Sequence, residues 1–361
     1  MNKPKSVTLD DVARHAGVSY QTVSRVLNQA AQVSEKTRSR VEAAMNELNY
    51  VPNRMAQQLA GKQSFTLGLA STNLALNAPS QGASAIKTRA NQLGYHVVIS
   101  MVEDLQLKSC RAAVNELIAQ RVDGILINVP LETDNAQQVK QCCGNLPVLF
   151  LDVDPQANLL SILFDPQEGA MQGLEHLLAL GHRQIALLTG PLESVSARLR
   201  YEGWLTGLTA HQLEAFSVLH GDWSSASGYQ LALNLLNPPQ RPTAILVAND
   251  QMALGVLRAA HQLGVTVPQQ LSVVGYDDTE DSAYFQPPLT TIAQDFRLSG
   301  RESVNRMVQM LQHPQQTSPG SLLLNTRLML RQTTSAPGES PDSAQSLALE
   351  LKRIARQLEQ L

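Results

Sequence analysis

The sequence predicts an α/β protein with a small all-helical N-terminal head, a hinge helix, a two-lobed core of doubly wound parallel sheets and a C-terminal oligomerisation helix. Three observations predict this class. Two short helical patterns meet at a glycine near the N-terminus, apolar strands alternate with amphipathic helices from residue 65, and leucines recur at heptad spacing at the C-terminus. Each of these regions suggests a separate part of one regulated molecule.

The composition supports two or three domains. The chain has 361 residues, of which 43% are hydrophobic, so it can fill sizeable cores. The net charge is −3, but residues 1–62 hold nine Lys/Arg against five Asp/Glu, which gives +4, while the remainder carries −7. A basic head on an acidic body favours nucleic-acid binding at one end, although a chance fluctuation of charge remains an alternative.

Targeting signals and metal motifs are not found in the sequence. The start, MNKPKSVTLDD, lacks the apolar stretch of a signal peptide, and no run is long enough to span a membrane. Cys110, Cys142 and Cys143 are an odd number of cysteines without metal-ligand spacing, as is typical of a reducing cytoplasm. We therefore expect a cytoplasmic protein with no membrane partner, no metal and no cofactor.

The head is predicted to contain three short helices. Thr8 and Asp11 begin the first helix, which runs to about Ala16, and Gly17 makes the turn. Ser19 caps a second helix that ends near residue 28. Ser34 caps a third helix, whose apolar face is Val41, Ala44, Met45 and Leu48.

The second helix has the pattern of a DNA-recognition helix. Val23 and Val26 face inward, and the exposed face of its first turns carries Tyr20, Gln21, Ser24 and Arg25. Hydrogen-bonding side chains at a helix N-terminus suit the major groove of DNA. The alternative is an ordinary small helical bundle with a solvated polar face.

A short helix-competent segment follows this head domain, 1–52. Residues 53–63 begin with Asn53 as a cap and contain a breaker at Gly61. A helix of this length is too short to be stable alone, so we expect it to fold when DNA and a partner chain are present.

The core, 64–334, alternates strands with helices. The predicted strands are 65–71, 96–101, 124–128, 147–152, 161–165, 185–190, 244–249, 272–277 and 290–295, and three of the helices are 80–93, 169–180 and 251–263. Ligands of such folds lie beyond the carboxyl ends of the strands. Four of these ends carry polar groups that suit a hydroxyl-rich ligand, namely Asn128, Asp152, Asn249 and Asp277.

The C-terminal region predicts self-association. Residues 335–343 form a polar Pro/Gly linker, and residues 344–361 follow as a helix with a heptad seam. A two-stranded coil this short would be weak, so a bundle that joins two dimers is favoured over a helix packed on its own domain. The seam residues are Leu347, Leu351, Ile354, Leu358 and Leu361.

Several segments together resemble the LacI/GalR family of bacterial repressors. They are the head TLDDVARHAGVSYQTVSRVLN, the connector NYVPNRMAQQLAGK and the body segments SVSARLR, LVANDQMALG and VVGYDDTEDS. The resemblance covers the whole chain. It implies a helix-turn-helix head, a hinge helix and a core like periplasmic sugar-binding proteins, with an N-lobe of about 64–163 and 293–322 and a C-lobe of about 164–292 and 323–334.

The resemblance also implies how the head contacts operator DNA. Tyr20, Gln21 and Arg25 would read bases, with Ser24 beside them, and Leu59 would wedge into the minor groove. Asn53 and Gln57 of the hinge helix belong to the same implied DNA-binding set. The residues implied to hold phosphates are Ser19, Thr22, Asn28, Ser34, Thr37 and Arg38.

For the core, the resemblance implies an allolactose-like galactoside as inducer. The groups that would bind its hydroxyls are Asp152, Arg200, Asn249 and Asp277, with Asn128, Ser196 and Gln294 nearby. The apolar walls would be Leu76, Pro79, Phe164, Trp223 and Phe296. The alternatives that involve no ligand are an interlobe ion pair for Arg200, a core position for Trp223 and a turn for Asp277.

Two residues depart from the pattern that the chain otherwise resembles. Asp10 replaces a tyrosine near the face that would meet the DNA backbone, and Gly82 replaces an isoleucine of the apolar wall, which would enlarge the pocket. The alternatives within the family are a regulator of another sugar operon and a repressor that needs a purine co-repressor. A periplasmic sugar-binding protein and an α/β enzyme are disfavoured, because the signal peptide, phosphate loop and nucleophile elbow that they would carry are missing.

Overall fold

The computed structural model describes residues 7–27, 33–51, 63–316 and 320–338. The chain divides into two compact units, Met1–Ser64 and Phe65–Leu361, which are described separately. The predicted hinge helix, Asn28 and the C-terminal leucine helix lie outside the described residues, together with the C-terminal end of the linker.

The first unit contains the three helices that the sequence predicts, α1 (Leu9–Ala16), α2 (Tyr20–Leu27) and α3 (Glu35–Glu47). A reciprocal capping box begins α1, because Thr8 N donates to Asp11 Oδ2 over 2.9 Å and Asp11 N donates to Thr8 Oγ1 over 3.3 Å. The three helices bury Val12, Val23 and Val41 in one core. Burial of each of these side chains stabilises the fold by about 1.5–3 kcal/mol.

The second unit begins with strands and helices in strict alternation. These elements are β1 (Thr66–Ser71), α4 (Asn77–Gln92), β2 (His96–Met101), α5 (Leu107–Ala119), β3 (Gly124–Asn128), α6 (Thr133–Cys142), β4 (Val148–Phe150) and β5 (Ser161–Phe164). The middle elements are α7 (Pro166–Ala179), β6 (Ile185–Thr189), α8 (Val195–Ala210), β7 (Ser217–His220), α9 (Ser225–Leu236), β8 (Ala244–Val247), α10 (Asp250–Gln262) and β9 (Ser272–Asp277). A 3₁₀ turn (Glu280–Tyr284), β10 (Thr290–Ala293), α11 (Phe296–Gln312), a second 3₁₀ turn (Pro314–Gln316), β11 (Ser321–Leu324) and β12 (Arg327–Met329) follow.

The strands form two six-stranded sheets. The first has the order β11-β5-β4-β3-β1-β2 and is parallel throughout, while the second has the order β12-β10-β9-β8-β6-β7. In the second sheet β12 pairs antiparallel with β10, and the other pairs are parallel. The predicted α/β class with two parallel-sheet lobes is therefore confirmed, with one antiparallel edge strand that the sequence did not reveal.

Helices cover the sheets and supply their cores. On one face of the first sheet, α5 buries Val114 and Leu117 against Ile125 and Ile127. On its other face a second cluster joins residues of α4 and α11 with β1, for example Ile86, Met307 and Leu69. The second sheet has one large apolar cluster of its own. Both sheets are thus buried on their faces, as parallel sheets require.

The chain passes between the two sheets three times. The first passage follows β5, the second joins β10 to α11, which packs on α4, and the third joins β11 to β12. Each passage is short, with Asp165, residues 294–295 and residues 325–326 between the elements.

The strand predictions differ from the structure mainly at the carboxyl ends. Three predicted strand ends prove to be helix N-caps: Asp165 accepts from the N–H groups of Gln167 and Glu168, Asn249 caps α10 and Asp295 caps α11. Helices α4 and α7 each begin three residues earlier than predicted. Strands β7, β11 and β12 were missed because they are short edge strands whose outer residues are exposed or half-buried.

Within the described ranges, no helix is both long and apolar enough to cross a membrane. The three cysteines are free; Cys110 and Cys143 are buried, and burial raises the pKa of their thiols to about 11 and about 12.

Candidate functional site

The first candidate site is the outer face of α2. Gly17 adopts φ +61° between α1 and α2, a conformation that glycine adopts without strain, and Ser19 Oγ accepts from Thr22 N over 3.2 Å to begin α2. Tyr20 is 50% exposed although it is aromatic. Gln21 and Arg25 are exposed on the same helix, and Thr22 and Ser24 are half-buried. The structure therefore presents the predicted base-reading side chains to solvent.

The predicted phosphate contacts lie at two helix N-termini. Ser34 Oγ accepts from Thr37 N over 3.4 Å at the start of α3, as Ser19 does at the start of α2. The first turn of α2 holds no acidic residue, so the positive end of its dipole is not offset there. Arg38 is half-buried on the first turn of α3. This arrangement favours an anionic partner such as a DNA phosphate.

The second candidate site is a cleft in the core unit at the carboxyl ends of strands from both sheets. Its lining includes every predicted sugar-binding residue, although they come from nine separate segments of chain. They are Leu76, Pro79, Asn128, Asp152, Phe164, Ser196, Arg200, Trp223, Asn249, Asp277, Gln294 and Phe296.

Arg200 is the central charged group of this cleft. It projects from α8 with only 6% of its surface exposed, and its Nη1 donates to the carbonyl of Ala248 over 2.5 Å. Its guanidinium carbon lies 3.7 Å from the ring centroid of Tyr276 and 5.8 Å from that of Trp223, and its Nη2 is 3.9 Å from Asp277 Oδ1. Arg200 therefore lies over the Tyr276 ring and near that of Trp223, in the lining of the cleft.

Two carboxyl groups accompany Arg200. Burial raises the pKa of Asp277 to about 8 and that of Asp152 to about 6, and the charge of Arg200 opposes both shifts. Arg200 Nε and Asp277 Oδ1 are buried and have no hydrogen-bond partner among the described residues. Leaving such groups unpaired costs about 1–3 kcal/mol each, so a rearrangement that brought a ligand hydroxyl to either atom would be favoured.

Asn249 and Trp223 support each other at the cleft wall. Asn249 Oδ1 accepts from Met252 N over 2.9 Å, and its Nδ2 donates to the carbonyl of Trp223 over 3.0 Å. Trp223 has φ +74°, a strained value for a non-glycine residue, and its indole lies so close to Gly190 that a Cβ there would overlap it. The structure thus gives Asn249 a structural role beside its predicted contact with a ligand.

The apolar side of the cleft is aromatic. Phe164 and Phe296 meet edge to face with centroids 5.7 Å apart. At Gly82 a Cβ would lie 3.5 Å from Asn128 Nδ2, an ordinary contact, so the wall has room at this position.

Sequence reasoning missed four polar residues of the cleft, Thr72, Ser194, Gln251 and Ser299. Thr72 directly follows β1, so the rule that ligands lie beyond strand ends could have found it. Gln251 follows Asn249 by two residues, and its Oε1 accepts from Asn77 N over 3.0 Å.

Polar contacts join the two halves of the core, which hold the first and the second sheet. Besides that of Gln251 with Asn77, Ser196 Oγ donates to Asp152 Oδ2 over 3.4 Å. Outside the cleft lining, Arg198 Nη2 pairs with Glu132 Oε2 over 2.9 Å. The residues that form these contacts are all half-buried, so a bound ligand beside them can change their balance.

The buried carboxyl groups predict a pH-dependent stability of the core. The pKa of Asp277 is raised to about 8, and those of Asp152 and Asp250 to about 6. Because the folded state then binds more protons than the unfolded state between about pH 4 and pH 8, the free energy of unfolding falls as pH rises, by up to about 1.4 kcal/mol per group per pH unit.

Urea unfolding followed by circular dichroism from pH 5 to pH 9 measures this dependence. We expect Asp277→Asn to remove most of the slope between pH 6 and pH 8, because its amide does not titrate. A flat wild-type profile, or an unchanged slope in the variant, would show that Asp277 has no raised pKa in the folded state.

Comparisons with known proteins cover both units. A model of "Bacterial regulatory proteins, lacI family" matches residues 8–53, and one of "Periplasmic binding protein-like domain" matches residues 174–334. The chain is 56% identical over 357 residues to the lactose operon repressor of Escherichia coli (strain K12), covering 99% of each protein. It is 43% identical over 354 residues to that of Klebsiella pneumoniae, covering 98% of this chain and 99% of the relative.

A solved structure agrees with the fold. A crystal structure of a lac repressor dimer bound to operator and the anti-inducer ONPF matches with a TM-score of 0.85 and 57% identity. The match covers 92% of this chain and all of that chain.

Among the described residues, no group of three His, Cys, Asp or Glu side chains is placed to hold a metal ion.

Proposed function

Because the chain belongs to the lacI family of bacterial regulatory proteins, we propose that it is a transcriptional repressor of a lactose-type operon, which releases its operator when a galactoside enters the cleft. One observation carries the proposal. The cleft surrounds a buried arginine whose Nε, like Asp277 Oδ1 beside it, lacks a hydrogen-bond partner among the described residues. The operator-bound relative supports the DNA partner.

The head would read the operator through α2. Arg25 and Gln21 can form paired hydrogen bonds with base edges, and Tyr20 adds an exposed hydroxyl and ring. Ser19, Thr22, Ser34, Thr37 and Arg38 would contact phosphates and fix the register. The DNA contacts assigned to Asn28, Asn53, Gln57 and Leu59 stay predictions outside the described residues. Two heads of a dimer would bind the half-sites of a pseudo-palindromic operator.

The cleft would bind a galactoside through its hydroxyls and its apolar ring face. A sugar hydroxyl can accept from Arg200 Nε and donate to Asp277 Oδ1, which pairs both atoms at once. Asn249 retains one amide hydrogen and one lone pair for a second hydroxyl. Trp223, Phe164 and Phe296 would pack against C–H groups. The cleft has aromatic walls and holds the guanidinium of Arg200 beside the carboxyl groups of Asp152 and Asp277. This combination suits a neutral sugar better than a charged base.

Release would follow from a shift between two arrangements of the lobes. The sugar needs only to bind one arrangement more tightly, and a difference of about 3 kcal/mol changes operator affinity by roughly a hundredfold. The contacts of Ser196 with Asp152 and of Gln251 with Asn77 join the two halves beside the sugar. We therefore place the switch in these contacts. The lobe boundaries are those that the family resemblance implies.

Operator binding at fixed salt, with and without isopropyl-thiogalactoside, tests the proposal. We expect the sugar to weaken binding about a hundredfold. If saturating galactoside leaves operator affinity unchanged, the galactoside switch is wrong. Release by a different sugar would indicate another operon, and tighter binding with a purine base would indicate a co-repressor.

A further prediction concerns the C-terminal heptad seam, which would join two dimers. The resulting tetramer would be cytoplasmic and would act on nucleoid DNA. Ending the chain after Gly338 keeps the bonds that Ser335 forms with His182 and Ser272. We expect this truncated chain to sediment as a dimer that binds one operator, and the full chain as a tetramer. Leu351→Glu in the full chain should also give a dimer. A tetramer that survives both changes would exclude the seam.

A further inference from the structure

We propose that the ion pair between Arg331 and Asp278, which lies outside the cleft, positions Asp277 for the sugar. Asp277 and Asp278 end β9 with φ +112° and φ +56°, values that L residues rarely adopt. Two consecutive residues of this kind persist only where surrounding contacts hold them. The inference deepens the proposed function, because it rests on a galactoside that contacts Asp277.

Two contacts hold the backbone that directly follows Asp277. Arg331 Nη2 donates to Asp278 Oδ1 over 2.5 Å, and both side chains are about four-fifths buried. One residue further on, Thr279 N donates to Asp250 Oδ2 over 2.9 Å. Neither Arg331, Asp278 nor Asp250 is among the residues that line the cleft. The two ligand-facing residues Asn249 and Asp277 are thus each followed by an aspartate that turns away and anchors the backbone.

Asp250 is committed to a rigid network. Besides Thr279 N, its carboxylate accepts from Ser282 Oγ and Thr291 Oγ1, each over 2.6 Å. A Cβ at Gly275 would overlap Asp250 Oδ1, so Asp250 is also enclosed sterically. Replacement of Asp250 would disturb the fold. The Arg331–Asp278 pair can instead be broken by changing only the guanidinium of Arg331 or the carboxylate of Asp278.

Arg331 itself is firmly attached to the second sheet. Its Nη1 donates to the carbonyl of Leu289 over 2.8 Å, and its backbone N donates to Thr290 Oγ1 over 3.0 Å. Arg331 lies two residues after β12. The chain segment that follows this strand therefore carries the cation that holds the backbone at residues 277–279. Loss of the guanidinium would let Asp278 relax and would move the Asp277 carboxyl group away from Arg200.

Arg331→Gln and Asp278→Asn test the inference, alone and together. Asparagine tolerates a positive φ, so Asp278→Asn removes the charge while it keeps a suitable backbone residue. We expect each single variant to weaken isopropyl-thiogalactoside binding about tenfold in calorimetry, and the double variant to be no weaker than either. Arg331→Lys should restore most of the affinity. Operator affinity without sugar should change less than twofold.

Arg241→Gln is the matched control, because Arg241 also donates to a backbone carbonyl, that of Pro238, at an exposed site of the same half. It should leave sugar binding unchanged. Additive losses in the double variant, or affinities within twofold of wild type, would overturn the inference.

Hydrogen exchange of the sugar-free protein separates this inference from the proposed function. We expect the amides of residues 278–279 to exchange about tenfold faster in Arg331→Gln than in wild type or Arg241→Gln. If wild type does not bind the galactoside, the proposed function fails, and this measurement alone decides whether the ion pair holds the turn. Unchanged exchange would overturn the inference.

Discussion

Replacement of Arg200 by alanine is expected to abolish the response to galactosides while operator binding persists. The change removes the guanidinium that lies on the Tyr276 ring, from a residue that lines the cleft. It also removes the charge that opposes the raised pKa values of Asp152 and Asp277, so both carboxyl groups bind protons more readily in the variant. We expect the affinity for isopropyl-thiogalactoside to fall at least about a hundredfold, measured by calorimetry.

Arg200→Lys is the informative companion variant. Lysine keeps the charge but not the planar group that stacks on Tyr276 and donates to the Ala248 carbonyl, so we expect it to recover only a small part of the affinity. Urea unfolding of both variants, followed by circular dichroism, checks that the core is folded, because the head is a separate compact unit. Near wild-type sugar affinity in Arg200→Ala would remove Arg200 from the site.

Arg25→Ala is expected to weaken discrimination between the operator and other DNA by about tenfold to a hundredfold. Arg25 is exposed on α2 beside the buried Val26, so its loss does not alter the core of the head. A paired contact of arginine with a guanine contributes about 1–3 kcal/mol of discrimination. Mobility shifts at one salt concentration should show operator affinity reduced about tenfold to a hundredfold, with non-specific binding reduced only slightly.

Arg40→Ala provides the matched control for Arg25→Ala. Arg40 is exposed on α3 of the same head, and its loss changes the net charge equally. We expect it to weaken specific and non-specific binding by similar factors, because it contributes only to the general attraction of phosphates. Sugar binding should be unchanged in both variants. If Arg25→Ala keeps the wild-type ratio of specific to non-specific binding, Arg25 does not read bases.

The alternation of strands and helices was enough to predict the core and part of its site. The rule that ligands lie at the carboxyl ends of parallel strands found Asn128, Asp152, Asn249 and Asp277 from the residues alone. It could not find Arg200, which lies inside α8, because a helix residue can face solvent, core or cleft without a local signal. That residue came only from the family resemblance.

Long-range pairing explains what the sequence could not reveal. The bond between Arg331 and Asp278 joins residues 53 positions apart, and the pair of Glu132 with Arg198 joins residues 66 positions apart. Nothing in the local pattern of either residue indicates its partner. The edge strands β11 and β12 were missed for the same reason, since their pairing with β5 and β10 depends on distant chain segments.

The three passages between the sheets have a consequence for biosynthesis. Neither sheet is complete until the chain has reached its last hundred residues, because β11 closes the edge of the first and β12 that of the second. Neither lobe can therefore finish folding on the ribosome before residues 321–329 have emerged, whereas the head, which ends near residue 51, can do so early. A newly made chain would thus acquire its DNA-reading surface well before it could sense sugar.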